Sequence, residues 1–139
     1  MDLAEGSSVG TALCKARAAA LELSLNRIVV KHSQIAVLDE SINRYHQLTH
    51  LELTNNRLKA ISVNVNLPKL MTLNVSGNNL MSLHGLQLLT SLENLNVSHN
   101  KLINFGSSIN LLVPLASKIT TFDASFNEVN SISIEAIII

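Results

Sequence analysis

Aromatic residues are nearly absent. They make up 3% of 139 positions, with no Trp, one Tyr and three Phe. Single-stranded nucleic acids are held by bases stacked on aromatic side chains, so no such platform is expected. Neither charge is in excess. Ten Lys and Arg balance ten Asp and Glu, which removes the electrostatic basis for attachment to a polyanion. Nucleic acid is not an expected partner. There is one cysteine, Cys14. Secreted repeat proteins usually seal their ends with several cysteines, so a reducing intracellular compartment is expected: cytoplasmic, with nuclear or ciliary locations left open. The start, MDLAEGSS, is acidic, and the stretch that follows is interrupted by charge, unlike a secretory leader. No apolar run approaches the length of a membrane-crossing helix, and no membrane association is expected. Phosphate loops, cysteine pairs, nucleophile elbows and kinase motifs are missing. His46 and His50 have helical ligand spacing but lack the Glu of a zinc-hydrolase helix. An enzyme, a metal, a cofactor and a small-molecule substrate are therefore not expected.

What is present is a line written four times. The segments are Leu48-THLELTNNR-Leu58, Leu70-MTLNVSGNN-Leu80, Leu92-ENLNVSHNK-Leu102 and Ile119-TTFDASFNE-Val129. Each fits the frame L-x-x-L-x-L-x-x-N-x-L. The centre of the frame alternates like a short strand, so Leu51/Leu53, Leu73/Val75, Leu95/Val97 and Phe122/Ala124 are expected to point inward and stack. One repeat cannot bury its apolar face alone, so at least three are needed. Asn56, Asn78, Asn100 and Asn127 occupy the same slot. An amide both donates and accepts, so these side chains are expected to satisfy backbone groups at the bend and to form a structural ladder.

The spacing adds detail. Leu51 to Leu73 is 22 residues, Leu73 to Leu95 is 22, and Leu95 to Phe122 is 27, which predicts an insertion around residues 109–116. After Asn78, leucines recur every third residue at Leu80, Leu83, Leu86, Leu89 and Leu92. A period of three suits short 3-10 turns. The frame and its Asn identify a leucine-rich repeat, and the 22-residue unit with its N-x-L-x-x-L-x-x-L continuation resembles the phosphatase-regulator class of intracellular leucine-rich repeat proteins. That class also includes a spliceosomal subunit, an axonemal dynein light chain and several ciliary and centrosomal proteins. The resemblance covers roughly residues 25–132. It implies an α/β solenoid: a horseshoe segment of about five repeats, with short parallel strands on the concave face and 3-10 or irregular turns on the convex face. It is specific for fold and much less so for function.

One domain is expected from the length. Residues 1–24 read as a tail and an Ala- and Leu-rich helical cap. Residues 25–139 read as repeats, at about 25–47, 48–69, 70–91, 92–118 and 119–139. The first repeat has two registers. Ala18-AALELSLNR-Ile28 places Asn26 in the Asn slot, and Leu25-NRIVVKHSQ-Ile35 places Ser33 there. The second is preferred because Ile28 then stands 23 residues before Leu51, close to the regular period. The chain stops within a repeat, on Ile137, Ile138 and Ile139. An open solenoid end exposes core and strand edge. Three readings follow: a piece of a longer solenoid, a tail folded into a small cap, or an end covered by a partner. Self-association through that end is a further expectation.

The outward strand positions define the expected binding surface. They include His50, Glu52 and Thr54; Thr72, Asn74 and Ser76; Asn94, Asn96 and Ser98; and Asp123 and Ser125. Phe126 lies just beyond and is the expected apolar anchor. The surface is polar and small, with few of the Trp, Tyr and Arg that usually dominate interfaces. Arg at positions 74 and 96 is expected to disturb binding and not folding. The sequence thus predicts a non-catalytic, intracellular protein-interaction module. Alternatives are a regulatory subunit of a type-1 protein phosphatase, a structural subunit of a ciliary, cytoskeletal or ribonucleoprotein assembly, and the recognition part of a larger repeat-containing enzyme.

Overall fold

The computed structural model describes residues 25–103 and 110–128. Among them are seven short strands: β1 (Arg27–Val29), β2 (Val37–Leu38), β3 (His50–Glu52), β4 (Ala60–Ile61), β5 (Thr72–Asn74), β6 (Asn94–Asn96) and β7 (Thr121–Asp123). Five form one parallel sheet in the order β1-β3-β5-β6-β7. Its register runs Ile28–Leu51–Leu73–Leu95–Phe122 through the strand centres. Ile28 therefore aligns with Leu51, in the second of the two registers considered for the first repeat. A chain that returns every 22 residues to the same strand must coil, and the result is a parallel β-solenoid.

The core is a stack of leucine rows. Leu51, Leu53, Leu73, Val75, Leu95 and Val97 are buried under the sheet. The three-residue spacing supplies the opposite wall. Leu83, Leu86, Leu89 and Leu92 are buried, and each of the last three donates its N–H to the carbonyl three residues earlier, at 3.1–3.4 Å. Single 3-10-type turns in series bring every third side chain to the same side. Ile42, Tyr45 and Leu48 repeat this arrangement two coils earlier, and in the coil between them Leu67 and Leu70 close a turn of the same kind. A 3-10 helix over Glu40–Arg44 is capped by Asp39, whose carboxylate accepts the Ser41 N–H. The longer fourth repeat contains the Val113–Leu115 3-10 helix, which buries Leu115 beside Leu112. That helix lies inside the interval where the spacing predicts an insertion.

Three points differ from the sequence reading or fall outside it. A second parallel sheet pairs β2 with β4 just past the Asn turns. Two-residue strands carry no periodicity to read. Gly85 then comes so close to β4 that a Cβ there would stand 2.2 Å from the Ile61 carbonyl oxygen. Phe122 holds its register against Leu95 but remains 36% exposed, because among the described residues β7 has a neighbouring strand on one side only. The described helical elements with defined bounds are 3-10, which makes this part of the chain a β-solenoid and not an α/β one. The helical cap expected over residues 1–24 and the tail over 129–139 lie outside the described residues.

Candidate functional site on the concave face

The Asn positions hold the coils together. Asn78 donates from Nδ2 to the Leu53 carbonyl of the preceding repeat at 2.9 Å, to its own Val75 carbonyl at 2.9 Å and to Ser76 O at 3.2 Å. Its Oδ1 accepts the Leu58 N–H at 3.0 Å. Asn100 repeats this with Val75, Val97, Ser98 and Leu80, and Asn127 with Val97, Ala124, Ser125 and Leu102. Asn56 reaches Val30, Leu53 and Thr54, and accepts from Ser33 and Ile35. Asn56, Asn78 and Asn100 are buried, where an unpaired amide or carbonyl would be costly.

The middle column of the sheet runs Val29, Glu52, Asn74, Asn96, Asp123. Its side chains point to the open face, yet three of them also serve their own backbone. Asn74 Oδ1 accepts the Ser76 N–H at 3.1 Å, and Asn96 Oδ1 the Ser98 N–H at 3.0 Å and the Ser98 hydroxyl at 2.7 Å. Asp123 Oδ1 accepts the Ser125 N–H at 3.0 Å and its hydroxyl at 2.7 Å. These are Asx-type turns that end the strand. The repeated N-V-S, N-V-S and D-A-S is their signal in the sequence. Arg at 74 or 96 would therefore remove a backbone cap as well as change the surface, which corrects the expectation that folding is unaffected.

The flanking columns behave differently. Thr121 donates to Asn94 Oδ1 at 2.6 Å, and Asn94 Nδ2 reaches Thr72 Oγ1 at 3.3 Å, so a lateral chain of hydrogen bonds crosses three strands. His50 Nδ1 lies 2.9 Å from Thr49 Oγ1. Thr54 and Ser98 are only 7% and 5% exposed. They offer little to a partner, because the bend after each strand folds over them. Ser76 is half-buried and Ser125 exposed.

Charge is arranged unevenly. Glu52 pairs with Lys31 at 2.8 Å and approaches Arg27 at 4.0 Å. Asp123, in the same column, has no cationic partner of that kind among the described residues. The Ser125 hydroxyl and then its amide hold the Asp123 carboxyl below the usual carboxylate range, with a smaller pull from His99. Residues just past the strands form one further column: His32, Asn55, Gly77, His99 and Phe126 all have positive φ, between 51° and 68°. A Cβ at Gly77 would stand 2.2 Å from Asn55 Oδ1. The rings of His99 and Phe126 stack at 4.3 Å with 12° between planes, and Phe126 is 74% exposed. A shallow concavity of about 230 Å³ lies over β5, β6 and β7, between Thr72 and Asp123. Among the described residues no group of three His, Cys, Asp or Glu could hold a metal ion, and no helix is long and apolar enough to cross a membrane.

No protein-family model and no curated protein matches the chain. Solved structures do. An internalin of Listeria monocytogenes is similar over 82% of this chain, at 26% identity and a TM-score of 0.68. A leucine-rich repeat protein of Leptospira interrogans is similar over 85%, at 20% identity and a TM-score of 0.59. The chain spans about a third of each, 32% and 35%. With the repeated frame and the Asn hydrogen bonds, these likenesses show the fold of a leucine-rich repeat solenoid.

Proposed function

We propose that the chain is a non-catalytic protein-interaction module that receives its partner on the concave face. The observation that supports this is the five-stranded parallel sheet, which buries one side and presents the other as a continuous polar surface. Repeat solenoids use such extended surfaces for binding, and the backbone of this one is already held rigid by the Asn ladder. The contact residues in this reading are His50, Glu52, Thr72, Asn74, Ser76, Asn94, Asn96, Asp123, Ser125 and Phe126. Amides and hydroxyls dominate, so the interface is expected to be wet and moderate in affinity. The 22-residue spacing supports phosphatase regulation as the narrower version of this role. The single cysteine supports an intracellular site of action, and the Ala- and Leu-rich composition of residues 12–24 supports a helical cap.

The test places a long cation at mid-face. Thr72→Arg disturbs only one weak side-chain hydrogen bond, at 3.3 Å. A partner captured by wild type and by Met81→Glu, off the sheet beyond the Asn turn, should be lost by Thr72→Arg at an unchanged melting midpoint. A partner retained by Thr72→Arg would exclude the concave face.

A further inference from the structure

In one repeat, two residues depart from their columns in ways the fold does not require. The first is Asp123. The same strand-ending turn is made in the two preceding repeats by Asn74 and Asn96, each with one Oδ1 on the Ser amide. Asn would therefore cap β7 equally well, and the carboxylate adds only a charge. Its Oδ1 is committed to Ser125 and the residue is exposed, which leaves Oδ2 for a partner. The concavity beside it is lined by Thr72, Asn74, Asn94, Asn96 and Thr121, which are neutral, so Asp123 is the one charge among its described lining residues.

The second departure is Phe126. Its column needs φ near +55°, a region where a Cβ collides with the following carbonyl and where Gly and Asn are the easy occupants. Gly77 and Asn55 take that role two and three repeats earlier, and the polar rings of His99 and His32 take it in the other two. A bulky residue there is a conformational outlier, and strain of this kind gathers at functional positions. The ring also stays in water. One face lies on His99, and 74% of the residue is exposed. Neither the turn nor the core accounts for a phenyl group at this point.

We infer that Asp123 and Phe126 form a receptor for an arginine side chain presented by an extended segment of a protein partner. This rests on the concave-face reading and names the chemistry recognised there. A guanidinium is planar, stacks on an aromatic face and donates in a fork to a carboxylate, so one side chain can use both groups. The neutral Asn and Thr groups alongside can then pair with the backbone of the same segment. Lysine meets the charge but not the plane, and an acidic segment is repelled by the single carboxylate.

The experiment selects twelve-residue peptides from a random phage library on the immobilised chain. Selected sequences should be enriched in Arg over Lys. Their affinity should fall about tenfold in Asp123→Asn, and by a similar factor in Phe126→Gly. Both substitutions copy residues the fold already uses in these columns, and thermal melting of each variant checks that it is folded. Peptides lost on Thr72→Arg but indifferent to Asp123→Asn and Phe126→Gly would overturn the arginine receptor and leave the concave-face reading standing. Peptides indifferent to all three substitutions, or an empty selection, would overturn both.

Discussion

Glu52 and Asp123 occupy the same column of one sheet, and their charges are put to opposite use. At the β1–β3 end, Lys31 at 2.8 Å and Arg27 at 4.0 Å close around Glu52. At the β7 end, the partners of Asp123 are the amide and hydroxyl of Ser125, which fix its position, and no Lys or Arg among the described residues pairs with its charge. The first end is electrostatically self-contained, and the second is polarised outward. A repeat solenoid can therefore hold its backbone geometry constant and still vary the character of its surface from coil to coil. Where a partner docks depends on which side chains the scaffold leaves uncommitted.

The comparison holds only while both ends belong to one cooperative unit, so the largest effect should come from cutting the link between them. Asn78 joins the β3 coil to the β5 coil through one donated and one accepted bond, to Leu53 and Leu58, and holds its own turn through two more donated bonds, to Val75 and Ser76. Asn78→Ala strands buried carbonyls and an amide and should cost about 3 kcal/mol. Urea unfolding followed by circular dichroism would read this as a lower midpoint. A midpoint equal to wild type would mean that the ladder does not join the ends. Gly77→Ala acts at the same junction through sterics. The new Cβ would meet Asn55 Oδ1 in a left-handed backbone, and a loss of about 2 kcal/mol is expected. A neutral result in the same assay would show that Asn55 moves aside freely.

Smaller effects separate the two ends. Glu52→Gln removes exposed ion pairs and should cost no more than about 0.5 kcal/mol, an effect that vanishes at high salt. A loss that persists in 1 M salt, on the order of ten times the usual ionic strength, would show that Glu52 packs as well as pairs. Asp123→Asn keeps the turn and should cost only a little stability at neutral pH, the part that the charged form adds to the Ser125 bonds. Its signature is in acid. The folded-state pKa of Asp123 lies below the ordinary value, so its stabilising contribution is complete above the unfolded carboxylate pKa and is lost as pH falls through the lowered folded value. The variant should therefore lose less stability than wild type across that interval. Parallel acid-unfolding curves would show that the Ser125 bonds do not favour the charged form.

Much of this was legible from the chain, for physical reasons. The stacked positions Leu51, Leu73 and Leu95 announce themselves because burial demands the same residue type at each turn of the coil. The leucines spaced by three announce a 3-10 wall for the same reason. Readability falls where a side chain has two roles. Asn74 and Asn96 read as exposed polar residues because alternation places them outward, whereas their bonds to Ser76 and Ser98 are local and independent of burial. Thr54 and Ser98 read as outward by the same alternation, but the chain leaves strand geometry at that point and buries them. The left-handed column could be read only at Gly77 and Asn55. At His32, His99 and Phe126 the residue types give no hint of the backbone they adopt.

The Asn hydrogen bonds also have a direction. Each side chain takes hold of a carbonyl in the coil before it and of an amide on that coil's return path. The coils that carry Asn78, Asn100 and Asn127 thus share one kind of socket forward and one kind of plug backward. A unit such as that from Asn56 to Asn78 could be copied into the chain and find both neighbours ready for it. The grammar of the join is independent of the words on the concave face. Lengthening such a molecule by whole units, and rewriting its recognition surface one unit at a time, are then separate problems for evolution and for the protein engineer alike.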